Sequence, residues 1–159
     1  MKLALFLVVA VGVGIGVSLP TAEPAAPAVA PAQEPDGAPR PTVLRREGDG
    51  HFWATVAVNG EPIRFVVDTG ASHVALSMEA ARRARVPFDP GRFHPVGEGA
   101  SGRVMGEAVH LDTVALDGKE ATRLKAVVLD GGKHSLLGQN FLRRMDVSIK
   151  GDVMTLSPG

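Results

Sequence analysis

Cysteine and tyrosine are absent from the 159 residues, and tryptophan occurs once. Without a thiol the chain has no disulfide framework, no cysteine nucleophile and no thiolate metal site. Neither sign of charge is in excess, since 17 lysines and arginines offset 17 aspartates and glutamates. A balanced chain with no basic stripe lacks the electrostatic footprint of a nucleic-acid binder, so no such partner is expected. The five histidines, His51, His73, His94, His110 and His134, are scattered without short ligand spacing. Neither a metal nor another cofactor is therefore expected.

Long apolar runs are scarce, with one exception at the start. After Lys2 the chain is uncharged over residues 3–19, and a helix there would span roughly 26 Å, close to the thickness of a bilayer core. Residues 1–19 read as a transmembrane anchor. The alternative is a secretory signal, since Ala26-Pro27-Ala28 fits a small-residue cleavage pattern. Lys2 on the N-terminal flank favours a cytoplasmic N-terminus and an exported domain. Residues 20–48 are dominated by proline and alanine. Such a stretch buries too little apolar surface to fold, and it reads as a disordered linker. The folded domain is assigned to residues 49–159.

That domain carries short β-type runs separated by turn signals, Asn59-Gly60, Asp117-Gly118, Asp130-Gly131-Gly132 and Gly151-Asp152. The spacing predicts a small all-β barrel. Residues 53–58 and 63–67 flank Asn59-Gly60 as a hairpin, with Ile63, Phe65 and Val67 on one face. Further strands are expected over 104–111, 114–116, 124–129, 147–149 and 153–156. Only two stretches read as helix, residues 78–84 with Ser77 as N-cap, and a turn or two around 140–144.

Chemistry concentrates in Phe65-Val66-Val67-Asp68-Thr69-Gly70-Ala71, which sets a carboxylate at the end of an apolar strand where the chain must turn. A carboxylate there needs hydrogen bonds or a partner charge. Gly70 lets the backbone approach and offer its N–H, and Thr69 adds a hydroxyl able to tie this loop to a neighbouring one. Asp-Thr-Gly alone is also ordinary turn chemistry. The weight falls on a second element, Ser135-Leu136-Leu137-Gly138-Gln139-Asn140-Phe141-Leu142, an apolar pair and a glycine leading into a short helix. The segment Gly97-Glu98-Gly99-Ala100-Ser101-Gly102 formally matches a dinucleotide fingerprint. Pro95 rather than a clean strand precedes it, and residues 104–111 read as strand rather than helix, so that reading fails.

The two elements together resemble the retropepsin-like aspartic proteases of clan AA, particularly bacterial membrane-anchored, single-lobed members. The likeness extends over nearly all of residues 49–158. It implies a small closed acid-protease barrel and an aspartic endopeptidase that acts on peptides or proteins. It implies Asp68, Thr69 and Gly70 as catalytic, with Ala71, Leu136, Leu137 and Gly138 supporting them, the glycine packed against the active-site loop. It also implies a glycine-tipped flap over the substrate, matched here to Gly99, Ala100, Ser101 and Gly102. Bacterial relatives often have Thr-Ala-Asn-Gly at that tip. In this family two aspartates, one from each Asp-Thr-Gly loop, share a proton across a two-fold axis. Neither Asp112-Thr113-Val114 nor Asp130-Gly131 provides a second such loop, so the resemblance implies a homodimer. A non-catalytic peptide-binding module on the same fold is the alternative. The expected location is a bacterial inner membrane, single-pass, with the domain on the periplasmic side, or an exported soluble form after signal cleavage. Retroviral members pair an aspartate and an arginine where this chain has Ser72 and Gln139, and a hydrogen bond between those two is expected instead.

Overall fold

The structure is a computed structural model that describes residues 38–99 and 102–159. The expected anchor at residues 1–19 and most of the expected linker lie outside the described residues. Among these residues ten strands and two short α-helices follow one another. They are β1 (Thr42–Arg45), β2 (Trp53–Val58), β3 (Glu61–Val67), β4 (Val74–Ser77), α1 (Met78–Arg83), β5 (His94–Gly99), β6 (Gly102–Leu116), β7 (Lys119–Leu129), β8 (Ser135–Leu137), α2 (Gln139–Leu142), β9 (Met145–Lys150) and β10 (Val153–Pro158).

Strands β2, β3, β8, β4, β7 and β6 lie side by side in that order, and a β2–β6 pairing closes them into a six-stranded barrel. The all-β barrel expected from the turn spacing is thus observed. Asn59 and Gly60 have φ of 50° and 82°, the left-handed turn that lets β2 and β3 pair without splaying. Alternation on these strands sends Val56, Val58, Ile63, Phe65 and Val67 inward, where they meet Leu76, Leu111, Val128, Leu137, Phe141 and Leu142 in one core. Helix α1 starts where expected, its Ala80 N–H donating to Ser77 Oγ at 3.1 Å.

Two expectations about elements are corrected. Residues 104–111 and 114–116 are not separate strands but parts of β6, fifteen residues long. The inward positions change phase at Asp112, from Val109 and Leu111 to Val114 and Leu116. The partner strand changes phase with it, from Ala121 to Leu124. Arg123 takes a φ of 49° there, and the register on either side is kept, Leu111 opposite Leu124 and Val114 opposite Ala121. A read based on strict alternation breaks where the hairpin turns its other face to the core. The second correction concerns the linker. Thr42–Arg45, assigned to it, forms β1 on β10, so the folded body begins upstream of residue 49. Composition missed this strand because its order comes from outside. Arg40 N–H donates to the Asp117 carbonyl at 3.1 Å. The buried Lys119 ammonium donates to the Thr42 hydroxyl at 3.0 Å and to the Arg40 carbonyl. Burial, opposed by the Asp117 carboxylate, holds the Lys119 pKa below the ordinary lysine range.

Candidate active site

Strand order builds the site. Strand β8 lies between β3 and β4 and runs parallel to β3, with Val66 opposite Leu136 and Val67 opposite Leu137. The chain from β3 to β4 must therefore cross over the end of β8, and residues 68–73 make that crossing. Asp68 sits at its start, half-buried, its N–H donating to the Leu137 carbonyl at 3.1 Å. The Gly70 N–H donates to Asp68 Oδ1 at 2.8 Å, so the carboxylate is oriented by its own turn. Thr69 and Gly70 are exposed.

Under this crossing lies Gly138. A Cβ built there would stand 2.2 Å from the His73 carbonyl oxygen and 2.9 Å from that of Ala71, closer than any side chain tolerates. Glycine is needed here for close approach. Just beyond, the Gln139 N–H donates to the Ala71 carbonyl at 2.8 Å and the Asn140 N–H to that of Ser72 at 3.1 Å. The start of α2 thus gives its free N–H groups to the loop.

Of the expected site residues, Asp68, Thr69, Gly70 and Ala71 are brought together with Leu136, Leu137 and Gly138. Gly99 and Gly102 lie on a separate hairpin of β5 and β6, where they face each other as its last pair. Ala100 and Ser101 lie outside the described residues. The described residues on either side, in β5 and β6, pair as antiparallel strands, and a strand rather than a helix follows Gly102, unlike a dinucleotide site. The expected Ser72–Gln139 side-chain bond is replaced, because Gln139 Nε2 donates to the Thr69 carbonyl at 2.9 Å. Ser72 meets α2 through its backbone instead.

The sequence reading missed Asn140. Its buried side chain accepts from the Val74 N–H at 2.9 Å and donates to the Lys125 carbonyl at 2.7 Å, tying α2 to β4 and β7. An asparagine between Leu137 and Phe141-Leu142 was the available signal, since a polar group so placed must find partners. Trp53 is packed by Arg64 at 4.2 Å over its ring and meets His134 in a perpendicular arrangement, ring centres 4.9 Å apart. Asp49 accepts from the His51 N–H at 3.0 Å and the Trp53 indole at 2.9 Å. The His51 amide bond is the main reason its carboxyl lies below the usual range, with burial opposing and the Trp53 bond assisting. Asp49, Trp53, Arg64 and His134 border a polar cavity of about 370 Å³ that includes neither Asp68 nor its loop.

A closed six-stranded barrel whose Asp-Thr-Gly loop crosses an apolar-apolar-glycine element defines a single-lobed acid-protease domain. Comparison with known proteins agrees. Residues 54–144 match the family described as gag-polyprotein putative aspartyl protease. A retropepsin-like aspartic protease from Rickettsia conorii superposes with a TM-score of 0.60 at 32% identity, covering 73% of this chain and 89% of that one. The protease of EIAV, complexed with the inhibitor HBY-793, shares the fold, with a TM-score of 0.50 at 20% identity over 61% of this chain and 89% of that one. Curated relatives include an uncharacterized protein of Rickettsia prowazekii, 34% identical over 103 residues that make up 64% of this chain and 44% of the relative. Another, from a Sinorhizobium species, is 33% identical over 109 residues, 66% of this chain and 46% of the relative. The chain spans about half the length of these curated relatives. It belongs to the retropepsin-like aspartic protease family.

Proposed function

We propose that the chain is an aspartic endopeptidase that hydrolyses peptide bonds at the interface of a homodimer, with Asp68 of each protomer as the catalytic pair. The observation that carries this reading is the oriented Asp68 carboxylate, held by the Gly70 N–H on a loop locked over Gly138. One protomer supplies half of the chemistry, because Asp68-Thr69-Gly70 is the single Asp-Thr-Gly in the sequence. Across a two-fold axis the two carboxylates share one proton. The ionised one takes a proton from a water as that water attacks the scissile carbonyl carbon, and the protonated one donates to the carbonyl oxygen as it becomes tetrahedral. Collapse then breaks the C–N bond, with the proton delivered to the leaving amine. Thr69 braces the paired loops, and Gly99 to Gly102 close over an extended peptide.

The test compares the 159-residue chain with Asp68→Asn on a diverse peptide pool. Cleavage by the wild type and a loss of about a thousandfold in the variant are expected. Equal cleavage by both would remove Asp68 from the mechanism, and cleavage by neither would favour a peptide-binding module on the same fold.

Residues 1–19 are proposed to anchor the domain in a bacterial inner membrane, with the domain on the periplasmic side, because Lys2 precedes the apolar run. A reporter fused after Gly159 that works only when exported should be active, and activity of a cytoplasm-only reporter there would contradict the topology. No helix among the described residues is long and apolar enough to cross a membrane.

A further inference from the structure

The histidines are scattered along the sequence, but strand register gathers three of them into the row that holds Asp68. On the outer face of the barrel Val66 lies opposite Leu136, Leu136 opposite Ala75, and Ala75 opposite Val127. None of these four belongs to the core cluster. Side chains two residues apart on a strand share a face, so the next row on this face lies two residues further along each strand. Toward the active-site loop that row consists of Asp68 after β3, Gly138 after β8, His73 before β4 and Lys125 on β7. The close approach of Gly138 to the His73 carbonyl fits it, and His110 on β6 stands opposite Lys125. On the other side of Asp68, Trp53 pairs with Val66 and the Val67 N–H donates to the Phe52 carbonyl at 2.9 Å, so the next outward position belongs to His51. His51, His73, Lys125 and His110 are all exposed, and none enters an ion pair among the described residues. Asp68 is the single carboxylate of the row. The acidic neighbours at its ends are Asp49, which accepts from the His51 N–H, and Asp112, two residues beyond His110.

We propose that this row selects acidic peptide as the substrate, with His51, His73 and Lys125 meeting glutamate or aspartate side chains a few residues from the scissile bond. The inference rests on the endopeptidase reading above and names the class of substrate which that reading leaves open. Neighbouring strands are about 4.8 Å apart, so His73 and Lys125 lie about 10 and 14 Å across the face from the strand of Asp68, the reach of about three or four residues of extended peptide. His51 is one strand away on the other side. A peptide held at Asp68 therefore passes these side chains close to the bond that is cut. The chain as a whole has no net charge, so the cationic row is a local feature. Lys125 keeps its charge throughout, and histidine side chains add theirs as the solution becomes acid, where a carboxylate pair sharing one proton also works. In a two-fold dimer the second copy repeats the row, which favours acidic residues on both sides of the bond.

Matched peptides test this with the full 159-residue chain. In a sequence cut from the diverse pool, the residues about three and four positions from the cleaved bond are set to glutamate, glutamine or lysine. At about pH 5, where a histidine side chain is charged, kcat/KM should rank glutamate over glutamine over lysine, with at least about fivefold between the first two. The advantage should shrink as salt is raised. Lys125→Glu reverses the charge of an exposed side chain and should invert the ranking, a result that loss of structure would not give. His73→Gln should lower the glutamate-to-glutamine ratio about twofold. Equal kcat/KM for the three peptides, or a ratio unchanged in either variant, would overturn the proposal and leave the protease reading standing. Should the wild type cleave no peptide, Asp68→Asn is titrated with labelled glutamate-rich, glutamine-rich and lysine-rich peptides and binding is read by fluorescence anisotropy. Preference for the glutamate-rich peptide would then keep the inference while the protease reading fails, and equal binding would remove both.

Discussion

At the scale of the residue, the site depends on what Asp68 is held by more than on what surrounds it. Its carboxylate is turned by the Gly70 N–H and its backbone is anchored to Leu137, so the loop that carries it cannot shift without disturbing β8. Gly138 is the tightest point of that arrangement. Gly138→Ala would force a methyl group into the carbonyls of His73 and Ala71, and the expected cost is about 3 kcal/mol. Denaturant unfolding should show it as a lower midpoint, and a midpoint equal to wild type would mean the loop is not packed as described. Asp49 offers a prediction in pH. Its folded pKa lies below the ordinary 3.8, chiefly through the His51 amide, so the folded state binds fewer protons than the unfolded one. Its contribution to stability is present above that ordinary value and disappears as pH falls through the folded value. Acid unfolding of Asp49→Asn should therefore converge with wild type at low pH and separate from it as pH rises above about 4. A constant offset would contradict the assignment. Asp68 and Gly138 were legible in the sequence because their signals are local, a carboxylate at a strand end and a glycine after an apolar pair. Asn140 was not, because its partners at Val74 and Lys125 are set by the fold, and Gln139 found the Thr69 carbonyl for the same reason.

At the scale of the element, the active-site loop is a consequence of strand order. Inserting β8 between β3 and β4 makes residues 68–73 cross it, and the N–H groups opening α2 are then free to donate to that loop's carbonyls. The barrel was legible because turn chemistry punctuates it at Asn59-Gly60 and Asp117-Gly118. Strand β4 was not, since Val74-Ala75-Leu76 is buried throughout and shows no alternation before helix α1 begins. Strand β1 was hidden by the proline-rich stretch and exists through its pairing with β10 and the clamp from Asp117 and Lys119. Lys119→Met removes the two donations to Arg40 and Thr42 and should cost about 1–3 kcal/mol. Hydrogen exchange should locate the change, with Thr42–Arg45 amides exchanging faster while β3 and β8 stay protected. Equal loss of protection across the barrel would mean β1 is not a separately clamped element.

At the scale of the whole molecule, one chain presents one oriented aspartate. A second copy would supply the other. Activity should then rise with protein concentration until dimers are saturated, and an N-terminal tether to a membrane would favour pairing by raising the local concentration. The family and the barrel could be read from the sequence because both elements around Asp68 lie in continuous segments.

The most direct measurement of the shared site is subunit mixing. Wild type and Asp68→Asn are combined in equal amounts at concentrations where dimers are saturated, with exchange confirmed by a label on each. Random pairing leaves about a quarter of dimers fully wild type, so activity should fall to about half of that given by the same wild-type protein alone. Activity unchanged by the variant, and independent of dilution, would show that a single Asp68 suffices and that the two-protomer site is wrong.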